Sequence, residues 1–277
     1  MARVALPQSK VRARRRRRRI IVLSLAAGIL VLLLGALVWL SHAAFMRITT
    51  VDVSGETALS ADTISNAVLA DISGSYVYVF PKNNIFLYPK FKTEADLTTQ
   101  MPTIAKVSVN AKDFHTLSVS VTERARKALW CGAAVTNAQS CYWLDQDGLA
   151  YADEHQGFSI EEATSSYEHY YGSLSNGVLP LQFLTPEEFH SLSALVDALA
   201  QNQQSNTIQN IEVSGAGDVH VTFANTFVLI FSLSSAGADV YQRFVLALGS
   251  DVFAGHSLAS FQYLDLRFGD KLYYKLK

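Results

Sequence analysis

Hydrophobic residues follow three spacings along this chain, and each predicts a different element. The first is an unbroken block: Ile20 opens and Leu40 closes a run of 21 residues with no charged side chain. Wound as a helix at ~1.5 Å per residue, residues 20–40 extend about 30 Å, the thickness of a bilayer's hydrocarbon core, so membrane lipid is their expected surroundings. Ser41 and Ala43 would suit the small-residue site of a cleaved signal peptide. The block exceeds the ~7 to 15 apolar residues typical of such a leader, however, and favours an uncleaved anchor.

The second spacing is alternation, the mark of a half-buried strand. Thr49, Val51 and Val53 alternate with polar neighbours until Gly55; Val107 and Val109 do so next, and Leu117, Val119 and Val121 beyond a turn near Asp113. The third spacing is helical. Ser60 suits an N-cap, and Ile64, Val68 and Ile72 form one stripe before Gly74. An amphipathic stretch at residues 95–101, closed by Pro102, predicts a second helix. Residues 76–91, bounded by Tyr76 and Phe91, are rich in aromatic side chains and hold Pro81 and Pro89. The order over about 75 residues is strand, helix, helix, strand, strand.

After Glu123 the pattern is mostly strand. Residues 127–130, 142–145 and 149–151 read as three strands, with Asp147-Gly148 as a tight turn. Residues 152–180, with scattered Gly, Ser, Asn, Glu and Tyr, read as an irregular surface stretch. Thr185-Pro-Glu-Glu is a helix start, with a cap, a proline at the first helical position and acids in the first turn; Leu192, Leu195, Val196 and Leu199 follow on one face. Ile211 and Val213, then Val219, Val221 and Phe223, then residues 227–231 read as successive strands, the last as a core strand. A helix at 235–248 precedes a terminal hairpin, residues 261–268 and 271–277. In its second strand Leu272, Tyr274 and Leu276 alternate with Lys271, Tyr273, Lys275 and Lys277, which predicts a half-buried strand whose lysines guard an edge.

Charge gives the chain a direction. Nine of its 23 Lys and Arg lie in residues 1–19, six of them consecutive arginines at 14–19, and no acid precedes Asp52. Basic residues beside a first spanning segment stay in the cytoplasm, so everything from Ser41 onward is expected outside it. The remainder carries 14 basic against 24 acidic residues. That net acidity argues against a nucleic-acid partner, and the arginine run is read as an orientation signal attracted to anionic headgroups. The ~235 residues after the anchor exceed one typical domain, so two compact units are expected.

Catalytic signatures are missing: there is no Gly-rich phosphate loop, zinc-type His-Glu-x-x-His, nucleophile elbow or Cys-x-x-Cys. Asp153, Glu154 and His155 with Glu168 and His169 are the closest approach to a metal cluster, and they read as solvated surface. Asp145 and Asp147 read as turn residues sharing an exposed face rather than as paired catalytic carboxylates. No catalytic residue, metal, cofactor or small-molecule substrate is expected. Cys131 and Cys141 are the two cysteines, on the exported side and on adjacent predicted strands, which favours a disulfide over a reactive thiol. Closing so short a loop contributes about 3 kcal/mol in the chain-entropy model.

Several motifs in this order resemble the FtsQ/DivIB family of bacterial cell-division proteins. Val51-Asp-Val-Ser-Gly55 with Ser60 and Ile64 is similar to the opening of that family's POTRA domain. Pro102-Thr-Ile-Ala-Lys-Val107 and Thr116-Leu-Ser-Val-Ser-Val-Thr-Glu-Arg124 are similar to its end. Ala128-Leu-Trp130, Tyr142-Trp-Leu-Asp-Gln-Asp-Gly148 and Leu264-Asp-Leu-Arg-Phe268 resemble segments of its β domain. Arg126 stands where the family usually has proline and Phe268 where it has tyrosine; the cysteine pair is not general to it. The resemblance implies an α+β chain: a basic tail (1–19), one transmembrane helix (20–40), a β-α-α-β-β POTRA domain (45–124) and a mostly antiparallel β domain with two helices (125–277). It also implies a non-enzymatic divisome scaffold that binds FtsB and FtsL outside the membrane, at the midcell septum, and helps control septal peptidoglycan synthesis. The family's contact lies at the end of the β domain, where the partner adds a strand; here that implies Arg267, Phe268, Gly269, Asp270, Lys271, Leu272, Tyr273 and Tyr274. A Tyr-rich stretch, 167–171, is the fallback contact. The alternatives are a membrane-tethered cell-wall hydrolase using Asp145, Asp147 or Asp153, and a generic POTRA-bearing exported binding module.

Overall fold

The computed structural model describes residues 8–137, 140–152, 167–174, 177–202, 207–235 and 237–277. The chain divides into two compact units, Met1–Leu97 with Lys106–Thr122 and Thr98–Ala105 with Glu123–Lys277.

The first unit opens with α1 (Gln8–Ser41). Among the described residues it is the one helix long and apolar enough to cross a membrane. Its apolar side chains lie bare, Leu32 and Trp39 being 74% and 77% exposed. Then follow β1 (Thr50–Ser54), α2 (Ala61–Asp71), β2 (Ser75–Tyr76), β3 (Phe80–Pro81), α3 (Lys90–Gln100), β4 (Ile104–Ala111) and β5 (Thr116–Glu123). The sheet order is β1-β5-β4, with β1 and β5 parallel, so the chain must cross over through its helices before closing the sheet. Gly55 ends β1 at φ +87°, and a Cβ there would meet the Val121 carbonyl oxygen at 2.2 Å, so only glycine fits.

Ile64, Val68 and Ile72 are buried on and just beyond α2, as are Leu117, Val119 and Val121 on β5. The Ser60 carbonyl takes the first helical bond from Ile64 N–H, but its side chain makes no capping bond. α3 starts five residues before the stretch read from the sequence. Its first turn is Lys-Phe-Lys, and it buries only Thr93 and Leu97, so little hydrophobic periodicity marks its start; the Pro89 carbonyl accepts from Thr93 N–H there.

The second unit holds β6 (Ala128–Trp130), β7 (Tyr142–Leu144), β8 (Leu149–Tyr151), β9 (His169–Gly172), β10 (Leu181–Gln182), α4 (Pro186–Gln201), β11 (Ile208–Val213), β12 (Asp218–Phe223), β13 (Val228–Ser232), α5 (Gly237–Leu248), β14 (Phe261–Phe268) and β15 (Lys271–Leu276). The strands form a ten-stranded, mostly antiparallel sheet in the order β10-β8-β7-β6-β9-β11-β12-β13-β14-β15. α4 and α5 pack together, and Leu192, Leu195, Val196, Val240 and Phe244 share one core with Ile211, Val221, Leu229 and Leu264. α4 starts with a full capping box: Thr185 Oγ1 accepts from Glu188 N–H at 3.3 Å, and Glu188 Oε2 accepts from Thr185 N–H at 3.0 Å.

Two elements differ from the sequence expectation. Part of the supposed irregular surface, His169–Gly172, is β9, a central strand paired in parallel with both β6 and β11; Tyr170 and Tyr171 are buried. Burial pushes the Tyr170 phenol well above its ordinary range, and the neighbouring Glu168 and Asp197 charges add to it. Four residues are too few to show a period, and the pairing that buries them is non-local. The other correction concerns β13. Its side chains alternate between buried Leu229 and Phe231 and half-buried Val228 and Ile230, because the helices cover one face of the sheet.

Candidate functional site

The terminal hairpin is where sheet, helix and solvent come together. β14 and β15 pair antiparallel around the two-residue turn Gly269-Asp270, with Phe268 opposite Lys271. Gly269 takes φ +59°, which a hairpin turn of this length asks of its first central residue, while Asp270 keeps a negative φ. β15 ends the sheet, so its outer backbone groups have no strand beside them among the described residues. The other edge, β10, is two residues long; β15 offers six.

β15 was expected to be half-buried, and it is not. All six of its residues are exposed, including Leu272 at 37%, Tyr274 at 42% and Leu276 at 49%. Tyr274 lies opposite Leu264, which is fully buried, so these three side chains extend the core face of the sheet. α5 packs against β14. Beside β15 the helical cover gives way to a groove of about 330 Å³ lined by Leu246, Leu266, Leu272, Arg243, Asp239 and Lys271, among others. Leu246 on α5 is itself 73% exposed, so both walls of the groove carry bare apolar side chains.

The aromatic residues divide between the two faces. Tyr274 lies against Phe261 and Phe253, ring centroids 5.9 and 6.4 Å away, while Phe253 stacks on Phe261 at 4.2 Å. Phe268 and Tyr273, each about half exposed, meet edge to face at 5.1 Å.

Arg267 holds the hairpin from within. Its guanidinium pairs with Asp265 at 2.6 Å and reaches Asp218 on β12 at 2.7 Å, and it lies 5.5 Å from the Phe268 ring. Asp265 is buried, which by itself raises a carboxyl pKa. The hydrogen bonds from the Arg267 side chain and backbone N–H, with its charge, outweigh that burial and hold Asp265 below the usual carboxylate range. Arg267 therefore positions Phe268 and the turn instead of presenting a free cation. The sequence reading missed Arg243. From α5 it donates to the Leu266 carbonyl at 2.7 Å and to the Gly269 carbonyl, clamping the turn to the helix. No local pattern marks it, because its partners lie 23 and 26 residues away.

The remaining expected residues fall elsewhere. Cys131 and Cys141 are joined by a disulfide at the ends of β6 and β7, both fully buried beside Leu129, Trp143, Tyr151 and Tyr171. Asp145 and Asp147 do not share an exposed face. Asp145 is buried, its carboxylate accepting from Asp147 and Leu149 N–H at 2.9 and 3.0 Å and pairing with Arg124 at 2.8 Å. Asp147 is exposed, 3.0 Å from His190. The turn curls its backbone donors around Asp145, which draws that side chain inward. Asp153, Glu154 and His155 lie outside the described residues; His169 begins β9. Among the described residues no three His, Cys, Asp or Glu side chains gather as a metal site. The fallback contact at 167–171 loses Tyr170 and Tyr171 to the interior. Compared with protein-family models and with curated proteins, the chain matches none.

Proposed function

We propose that this chain is a membrane-anchored interaction protein of the FtsQ/DivIB type, which captures FtsB and FtsL outside the membrane by accepting a strand from the partner along β15. The observation that carries this reading is the open edge itself: the outer backbone groups of a six-residue strand beside a groove that Leu246, Leu266 and Leu272 line together with charged side chains, with the turn clamped by Arg243 and Arg267. Strand addition uses such an edge for affinity and alternate side-chain pockets for specificity. Leu272 and Leu246 supply apolar anchoring, and Phe268 with Tyr273 supplies aromatic anchors beside lysines that discourage indiscriminate edge pairing. In this reading the first unit is the POTRA domain, α1 is the N-in anchor, and the protein works at the division septum.

Phe268→Glu tests the proposal without touching the core, because Phe268 is 53% exposed. The full-length variant, solubilised in mild detergent, should lose capture of FtsB and FtsL while unfolding at the wild-type urea concentration. Deletion of residues 269–277 should do the same to capture. Near-normal affinity in both variants would place the interface elsewhere. A fluorescent fusion should band at midcell; even spread around the envelope favours the generic exported module.

A further inference from the structure

The aromatic residues 76–91 form a feature that partner capture does not use. β2 and β3 pair antiparallel as a small hairpin, Tyr76 opposite Phe80, with Val79 N–H donating to the Tyr76 carbonyl at 2.9 Å. The two residues at its tip, Val77 and Tyr78, take φ +49° and +60°. Such a turn calls for Asn-Gly or a similar pair, and a β-branched residue there is strained. Both side chains also stand in the open, Val77 85% and Tyr78 99% exposed. Neither backbone preference nor core packing accounts for apolar residues at this tip.

Its position does. The hairpin is tied to the end of α1. Buried Asn84 donates from Nδ2 to the Ser41 carbonyl at 2.9 Å, Ile85 N–H to Met46 O at 2.9 Å and Ile48 N–H to Asn83 O at 2.8 Å, and β3 contacts α1. Ser41 directly follows the last residue of the apolar block, so with α1 spanning a membrane this bonding would hold β3 and residues 83–85 near the level where the chain leaves the hydrocarbon. Phe45 and Phe86, 53% and 68% exposed, lie in the segments that bonding joins. No Asp or Glu occurs between Asp71 and Glu94, and Lys82, over the Tyr76 ring, is a cation that suits anionic headgroups; Lys90 and Lys92 pair with Glu94 and Asp96. Tyrosine is enriched at this level because its ring is apolar and its hydroxyl is wet.

We propose that the β2–β3 hairpin is an interfacial anchor whose tip, Val77 and Tyr78, lies in the headgroup layer of the membrane that α1 enters. The proposal rests on α1 spanning that membrane. It gives the first unit a second attachment point beside the helix and so fixes the unit's tilt over the bilayer.

The test places an environment-sensitive fluorophore on Tyr78→Cys in the full chain, reconstituted in nanodiscs that contain anionic lipid. Both native cysteines are in the disulfide, so the new thiol is labelled alone. The emission should shift to the blue and be quenched by lipids bearing a nitroxide near the headgroup. A label on Leu30→Cys, quenched by a nitroxide deep in the acyl chains, reports on α1 separately. If Leu30 is quenched and Tyr78 is reached by iodide but not by lipid nitroxides, the hairpin proposal falls and the spanning reading stands. If neither label is quenched by lipid, both fall. A Val77→Asn, Tyr78→Gly variant suits the turn better and keeps the hairpin; a label on its Val79→Cys should lose lipid quenching, and retained quenching would overturn the role of the tip. A shift that needs an added protein partner would overturn the lipid assignment.

Discussion

Replacing Arg267 by Met removes the cation that keeps Asp265 ionised while retaining an apolar stem of similar reach. The Asp265 side chain is 7% exposed, and three of its bonds come from the guanidinium; the backbone N–H of residue 267, which donates to Oδ1 at 3.0 Å, is kept by the substitution. Breaking a buried pair by deleting one partner costs about 3–5 kcal/mol when the charge is left wholly uncompensated. Arg267 is itself 31% exposed and that backbone bond remains, so solvent screening reduces the expected cost to about 2 kcal/mol at pH 7. The pH dependence has a definite sign. In the wild type the Asp265 pKa is depressed, so its contribution is present above the unfolded carboxyl value of ~3.9 and is lost as pH falls through the lower folded value. In the variant burial dominates and raises the folded pKa, so the folded state takes up a proton more readily and the penalty shrinks as pH falls from 7 toward the carboxyl range. Urea unfolding of both proteins in the same detergent, followed by Trp130 and Trp143 fluorescence at pH 7 and pH 5, measures the difference. A penalty below ~0.5 kcal/mol, or one unchanged between the two pH values, would refute the account of Asp265 as a buried carboxylate held by its arginine.

Arg243→Ala should free the hairpin turn, speeding amide hydrogen exchange through β15 and weakening partner capture, while exchange in β11–β13 stays unchanged. Replacing Cys131 and Cys141 by Ser should cost about 3 kcal/mol in the same urea assay; an equal midpoint would show that the disulfide does not restrain the unfolded chain. Thr185→Ala removes the capping box and should cost about 1 kcal/mol, with Thr185→Ser restoring most of it.

Elements whose signals are local were legible from the residues. Thr185 and Glu188 announced α4 three residues apart, and Ile64, Val68 and Ile72 fixed the inner face of α2 and the turn after it. The alternation of Leu117, Val119 and Val121 gave the buried face of β5. What stayed hidden depends on distant partners. β9 lies in a Ser- and Glu-rich stretch and becomes a central strand only through Leu129 opposite His169 and Ile211 opposite Tyr170. The β2–β3 hairpin escaped notice because Val77 and Tyr78 are not turn formers. At the candidate site the alternation of β15 was plain, but its exposure depends on how far the helical cover extends. The tie from Arg267 to Asp218 was not legible either, because it spans 49 residues.

The parallel seam between β13 and β14 has a kinetic consequence. β11 to β13 form by local hairpins, and so does β14 with β15, but the seam joins Val228 to Tyr263 across a crossover that contains α5. Closing a non-local parallel pair is slow, because loop entropy is lost before contacts compensate for it. The meander β11–β13 is local in sequence, whereas the final hairpin joins it only through this crossover, whose helix α5 holds the turn by the Arg243 bond to the Gly269 carbonyl. The β15 edge therefore lies beside the completed sheet only in molecules that have closed this seam. A strand added there would favour those molecules by mass action, and so hold the seam shut.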